Sequence, residues 1–127
     1  MKKNKLFLLV PLLYMVCCTV LLTLPGQAFP EENWFSTIAL DKWIHIGMFG
    51  LMVIVCCWGL SKTVNIKGPA WGFIIKVGIA CLAYGIAMEF VQRYWVINRS
   101  FDTGDILADG VGASIGVLVS HSLYRKK

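Results

Sequence analysis

Charge is what this sequence has little of. Only 15% of its 127 residues are Asp, Glu, Lys or Arg, while 57% are hydrophobic, and the mean hydropathy is +0.69. That balance excludes an ordinary water-soluble domain, because a chain this short cannot bury so much apolar surface in a core of its own. Internal repeats and low-complexity linkers are also missing, so the length allows one small domain over residues 1–127. The five cysteines, Cys17, Cys18, Cys56, Cys57 and Cys81, show no metal-ligand spacing and all fall inside apolar runs. An odd count with none in the polar connections excludes a disulfide framework and leaves small hydrophobic side chains.

What is present is a set of four apolar runs, each near the roughly 20 residues that a bilayer core requires. Residues 6–24 carry no charge, and 43–60 carry only His45. Residues 71–94 hold Lys76 near the start and Glu89 near the end, and 105–123 are the least apolar because of their glycines and Asp109. Turn-forming residues separate the runs: Leu24-Pro25-Gly26, Lys67-Gly68-Pro69, and Asn98 to Gly104. Asp41 stands where an N-cap would stand for the second helix, and Asp102 or Asp105 could cap the fourth. The expected fold is an all-α membrane protein of four transmembrane helices.

Orientation follows from the loops, since cytoplasmic flanks collect Lys and Arg. One set of flanks holds Lys2, Lys3, Lys5, Lys62, Lys67, Lys76, Arg125, Lys126 and Lys127, nine of the twelve basic residues, and no acid. The other holds Lys42, Arg93 and Arg99 with all seven acids. Both termini are therefore expected in the cytoplasm, with the chain crossing the membrane several times. The net charge of +5 is a product of this topology and of attraction to anionic head groups, and it does not call for nucleic acid. A competing reading of the N-terminus is a secretory signal peptide, from the lysines before the first run and Gly26-Gln27-Ala28 after it. The run is longer than the usual h-region of about 7–15 residues, and further spans follow, which favours an uncleaved helix.

The tryptophans are distributed as an interfacial belt, with Trp34, Trp43 and Trp95 toward the outer ends and Trp58 and Trp71 toward the inner ends. The polar residues gather at one depth. Glu89 lies 18 residues after Trp71, about 27 Å along a helix, and His45 and Asp109 each lie about one turn inside their helices' outer ends. Spacing aligns them further: Asp41 with His45, and Glu89 with Gln92 and Arg93 on a face that continues through Gly85, Leu82 and Gly78. Ala108, Gly112, Gly116 and Ser120 form a small-residue stripe on the fourth helix, which lets backbones approach closely. His121 falls at the opposite end, and Ser114 and Ser120 have no basic partner at their depth.

The motifs Asp41-Lys42-x-x-His45, Glu89-x-x-Gln92, Arg99-x-x-Asp102-x-x-Asp105 and Gly112-x-x-x-Gly116 occur in that order. In order and interval they resemble the VanZ-like family of small bacterial membrane proteins, from about the end of the first helix to Gly116. The resemblance implies a helical protein of the cell envelope, linked through the family's name to susceptibility to the glycopeptide teicoplanin. Asp109 stands where the family commonly has Asn, a departure that alters the charge of the site.

Three functional readings fit these residues. The first is an outward-facing pocket that binds a lipid-linked envelope precursor, a membrane lipid or a glycopeptide. Asp41, Lys42, Gln92, Arg93, Arg99, Asp102 and Asp109 would be its ligand contacts, with the basic groups on phosphate or carboxylate and the acids on amines or sugar hydroxyls. The second is an enzyme on a lipid head group, with His45 as general acid or base and Glu89 or Asp105 orienting it. A metal variant would use His45 with two of Asp102, Asp105 and Asp109, but one histidine with oxygen ligands names no metal, and no cofactor is specified. The third is ion pairing that merely pins the helices, through Glu89–Arg93, Asp41–Lys42 and Arg99 with Asp102 or Asp105.

Overall fold

The computed structural model describes residues 4–25, 40–64, 71–97 and 101–125, and every regular element among them is helical. A 3-10 turn, Lys5–Leu8, leads into α1 (Leu9–Leu22), followed by α2 (Leu40–Val64), α3 (Trp71–Trp95) and α4 (Thr103–Arg125). With its 3-10 turn α1 extends from Lys5 to Leu22, and that span and the other three helices are all long and apolar enough to cross a membrane. Helices are the form such a chain must take there, because a bilayer offers no partner to unpaired backbone N–H and C=O groups.

The helix ends differ from the hydropathy windows at several points. α2 begins at Leu40 and runs to Val64 instead of 43–60. It continues past Leu60 because the Ser61 and Thr63 hydroxyls donate back to the carbonyls of Trp58 and Gly59, at 2.9 and 2.8 Å, which satisfies their polarity within the helix. Asp41 is consequently a first-turn helical residue and not the N-cap. There its charge still complements the positive end of the helix dipole. α1 stops at Leu22, ahead of Thr23, Leu24 and Pro25. α4 begins at Thr103, two residues before the expected start, because Asp102 is its cap: Gly104 N–H donates to Asp102 Oδ1 at 2.8 Å.

The bundle is held by small residues at its tightest seam. α2 and α4 share the most extensive contact, and there glycine backbones nearly touch. A Cβ added at Gly112 would run into the Ile46 backbone, and one at Gly116 would lie 2.6 Å from the Gly50 carbonyl oxygen. The stripe read from the sequence is thus a packing surface, with Ala108, Gly112, Gly116 and Ser120 all buried. Phe49, Met52, Val53, Cys57 and Ile74 fill the centre. Most of α1 is exposed, yet three hydrogen bonds moor it. Tyr14 donates to the Met48 carbonyl at 2.7 Å, Thr19 pairs with the Tyr84 hydroxyl at 2.6 Å, and Gln92 Nε2 donates to the Leu22 carbonyl at 2.7 Å.

Candidate functional site

The polar residues of α2, α3 and α4 converge at the Asp41–Asp102 end of the bundle. Lys42 is its outermost hub. Its ammonium reaches Asp41 Oδ2 at 3.0 Å, Asp102 Oδ2 at 2.6 Å and Asp105 Oδ1 at 2.6 Å. An ammonium has three N–H donors, so each is taken by one carboxylate. Oxygens of Asp41, Asp102 and Asp105 lie within 4.8 Å of one another, a grouping that could hold a metal ion by distance. Lys42 is the cation they hold here.

One turn deeper, His45 Nδ1 lies 2.7 Å from Asp109 Oδ1, and both side chains are buried. The sequence reading pairs His45 with Asp41 and names Glu89 or Asp105 as its orienting acid. The structure assigns that place to Asp109, while Asp41 turns to Lys42. The physical reason is the glycine seam, which brings α4 close enough for Asp109 to reach α2. On the other side of the ring, Nε2 is 3.8 Å from Asp105 Oδ2, too long for a hydrogen bond. Nε2 thus has no hydrogen-bond partner among the described residues. Phe49, one turn along α2, lies parallel to the imidazole with centroids 6.3 Å apart and backs onto Gly85. A Cβ at Gly85 would meet Asp109 Oδ2 at 2.6 Å, so this glycine makes room for the acid. Phe49 is not among the residues expected from the sequence, although its spacing of four from His45 puts it on the same helix face.

Glu89, 1% exposed, joins the third helix to the site by an unusual route. Its Oε2 accepts the backbone N–H of Asp102 at 3.1 Å. In a capping box a carboxylate three residues into the helix takes that N–H; here α3 supplies it across the bundle. The ion pair expected between Glu89 and Arg93 is not formed. Arg93 is exposed and lies over the Tyr94 ring, 5.6 Å from its centroid. A helix turns about 400° over four residues, and Glu89 faces inward, so Arg93 at the seam's margin is drawn to the aromatic surface instead. Gln92 is buried but spends its amide on the Leu22 carbonyl, so it anchors α1. Arg99 and Trp34 lie outside the described residues.

No family model, curated protein or solved structure matches the chain. The chemistry of the site therefore rests on its own geometry. At the rim, Lys42 hydrogen-bonded to Asp102 holds that carboxyl below the usual carboxylate range, so it stays ionised at neutral pH. Deeper in, three buried carboxylates, Glu89, Asp105 and Asp109, lie around one imidazole, with the Lys42 ammonium reaching Asp105 alone of the three. Such a set cannot all be charged in a low-dielectric setting without a proton or an added cation to offset it. The arrangement can hold a proton on the His45–Asp109 pair, and it can accept a group that donates hydrogen bonds.

Proposed function

We propose that this is a VanZ-like protein of the bacterial cytoplasmic membrane, with both termini cytoplasmic, whose outward site binds the head group of a lipid-linked or envelope ligand. The observation that carries this reading is the convergence of Lys42, His45, Glu89, Asp102, Asp105 and Asp109 from three helices, at one end of an otherwise apolar bundle. Ionisable groups inside membrane helices are rare and mark functional sites by default. Because Lys42 has no donor to spare, recognition falls to the acids and to His45. The favoured head group therefore carries amines or hydroxyls. An effect on glycopeptide susceptibility belongs to this reading through the family resemblance.

A second reading, catalysis on such a head group, is favoured by the His45–Asp109 pair. An ionised Asp109 accepting from Nδ1–H leaves the Nε2 lone pair free to take a proton. The test is mass spectrometry of envelope lipid extracts incubated with the purified protein, beside His45→Ala and Asp105→Asn. New product masses that vanish with His45→Ala establish an enzyme. A lipid that co-purifies unchanged and is lost with Asp105→Asn establishes a binder. Absence of both product and bound lipid refutes the two readings together.

A further inference from the structure

At the end of the bundle remote from His45, a groove of about 310 Å³ runs between α1, α2 and α4, lined by Val10, by Ile54 and Trp58, and by Ser120 and Tyr124. Ser120 is its exceptional member. It is 1% exposed, and its Oγ has no hydrogen-bond partner among the described residues. Thr19, Ser61 and Thr63, by contrast, donate back to the carbonyls of Met15, Trp58 and Gly59 at 2.8, 2.9 and 2.8 Å. Cys57 is the polar neighbour of Ser120 on α2, and a thiol is only a weak acceptor. The Tyr124 hydroxyl lies 2.7 Å from Ser61 Oγ. Because Ser61 spends its own proton on Trp58, Tyr124 is the donor of that pair. Ser120 is thus the hydroxyl of the groove with a proton still to give, at a depth where a bilayer supplies no water to take it.

The groove's α2 wall leads to a cation. Ile54, Trp58 and Lys62 follow one another at spacings of four and share a helix face, so the exposed Lys62 stands one turn, about 6 Å, beyond Trp58. No acid follows Asp41 in α2 or Asp109 in α4, so this end of the bundle favours an anion. We infer that the groove holds an anionic glycerophospholipid, with an ester carbonyl accepting from Ser120, an acyl chain along Val10 and Ile54, and the phosphate beside Lys62. The order of the contacts carries the assignment, because a glycerophospholipid has its ester carbonyls beneath its phosphate and its chains beneath those. Moving a chain from lipid into a groove gives no hydrophobic gain, which leaves selectivity to the hydroxyl and the ammonium. This site is separate from the one built on His45 and does not depend on the function proposed for that one.

The test is thermal unfolding of the delipidated full chain in detergent, with phosphatidylglycerol or phosphatidylcholine added, since a ligand that binds only the folded chain raises Tm. Phosphatidylglycerol should raise it by about 4 °C more than phosphatidylcholine does. That difference should be at least halved in Ser120→Ala and in Lys62→Gln, and kept in Lys76→Gln, whose lysine is exposed on α3. Without lipid, Ser120→Ala should melt no lower than the unaltered chain, because the hydroxyl it removes has no partner to lose. Equal shifts with the two lipids overturn the inference, as does an undiminished shift in Ser120→Ala. A loss in Lys76→Gln as large as in Lys62→Gln overturns it too, by making the attraction a diffuse one. A lower Tm of lipid-free Ser120→Ala would assign the hydroxyl to Cys57 and remove the site.

Discussion

Gly116→Ala adds one methyl group where α4 crosses α2, and its cost can be worked from the contact it would make. The new Cβ would stand 2.6 Å from the Gly50 carbonyl oxygen and 2.8 Å from Val53 Cβ, where an ordinary contact begins at 3.4 Å. The blocking atom nearest it is backbone and cannot swing aside, so the helices must separate by about 0.8 Å, and overpacking of this kind costs about 1–3 kcal/mol. Asp109 lies seven residues from Gly116, two turns along the same side of α4. A separation of that size would carry the His45–Asp109 contact from 2.7 Å past the usual N–H···O limit of about 3.2 Å. The variant should therefore lose stability and the His45–Asp109 contact together. Gly47→Ala is the control, because nothing lies within 4 Å of its added Cβ, and replacing a helical glycine by alanine gains up to about 1 kcal/mol. Thermal unfolding in detergent, followed with a thiol-reactive fluorophore, reads both: Cys18, Cys56, Cys57 and Cys81 are buried, and Cys17 sets the exposed baseline. If Gly116→Ala unfolds at the same temperature as Gly47→Ala, the backbone-on-backbone seam is wrong.

Four further outcomes are expected. Lys42→Ala leaves three carboxylates without their cation and should destabilise the Asp102 end, whereas Lys42→Arg should retain part of the stability; unfolding curves of the two variants compare them. Asp102 has a depressed carboxyl pKa because of Lys42, so its contribution is fully present above the unfolded value of about 3.9 and is lost as pH falls through the lower folded value. Stability measured from pH 6 down to pH 3 should drop in the unaltered chain and show a shallower acid dependence in Lys42→Ala. Asp109→Asn keeps an acceptor for Nδ1–H and should fold, while Asp109→Leu leaves a buried imidazole nitrogen unpaired, at a cost of about 1–3 kcal/mol; equal melting of the two would refute the pairing. Gln92→Leu removes the bond to Leu22 and should raise the reactivity of Cys18 toward a thiol reagent without changing that of Cys56.

The sequence was legible wherever one residue type decides a local outcome. Apolar length alone located four helices, because a bilayer leaves the backbone no alternative. The Gly112–Gly116 stripe was equally plain, since small residues at every fourth position have one obvious use in a membrane helix. The ends of α2 were less visible: hydropathy counts Ser61 and Thr63 as polar, but their hydroxyls bond back to the helix and let it continue. Partner choice in the site was the least visible of all. Arg93 and Glu89 stand at an ideal local spacing, and the local rule favours their pairing. It fails because Glu89 has another donor available, the Asp102 N–H at the capped end of another helix.

That last substitution has a mechanical consequence. By accepting the Asp102 N–H, Glu89 on α3 fixes the cap of α4; by holding Asp102 and Asp105, Lys42 on α2 fixes the same turn from the opposite side. The first turn of α4 is therefore positioned by two other helices, and Asp105 sits within it. A ligand that displaces Lys42 from Asp105, or draws Glu89 away from Asp102, releases one of these two restraints and leaves the other. The polar site and the packing of three helices are then one coupled element. Glu89→Gln should expose the coupling, because its neutral carbonyl can still accept the Asp102 N–H. Unchanged unfolding with weakened lipid retention would assign the Glu89 charge to the ligand. Lost stability in that variant would assign it to holding the cap, and the carboxylate would have no separate part in recognition.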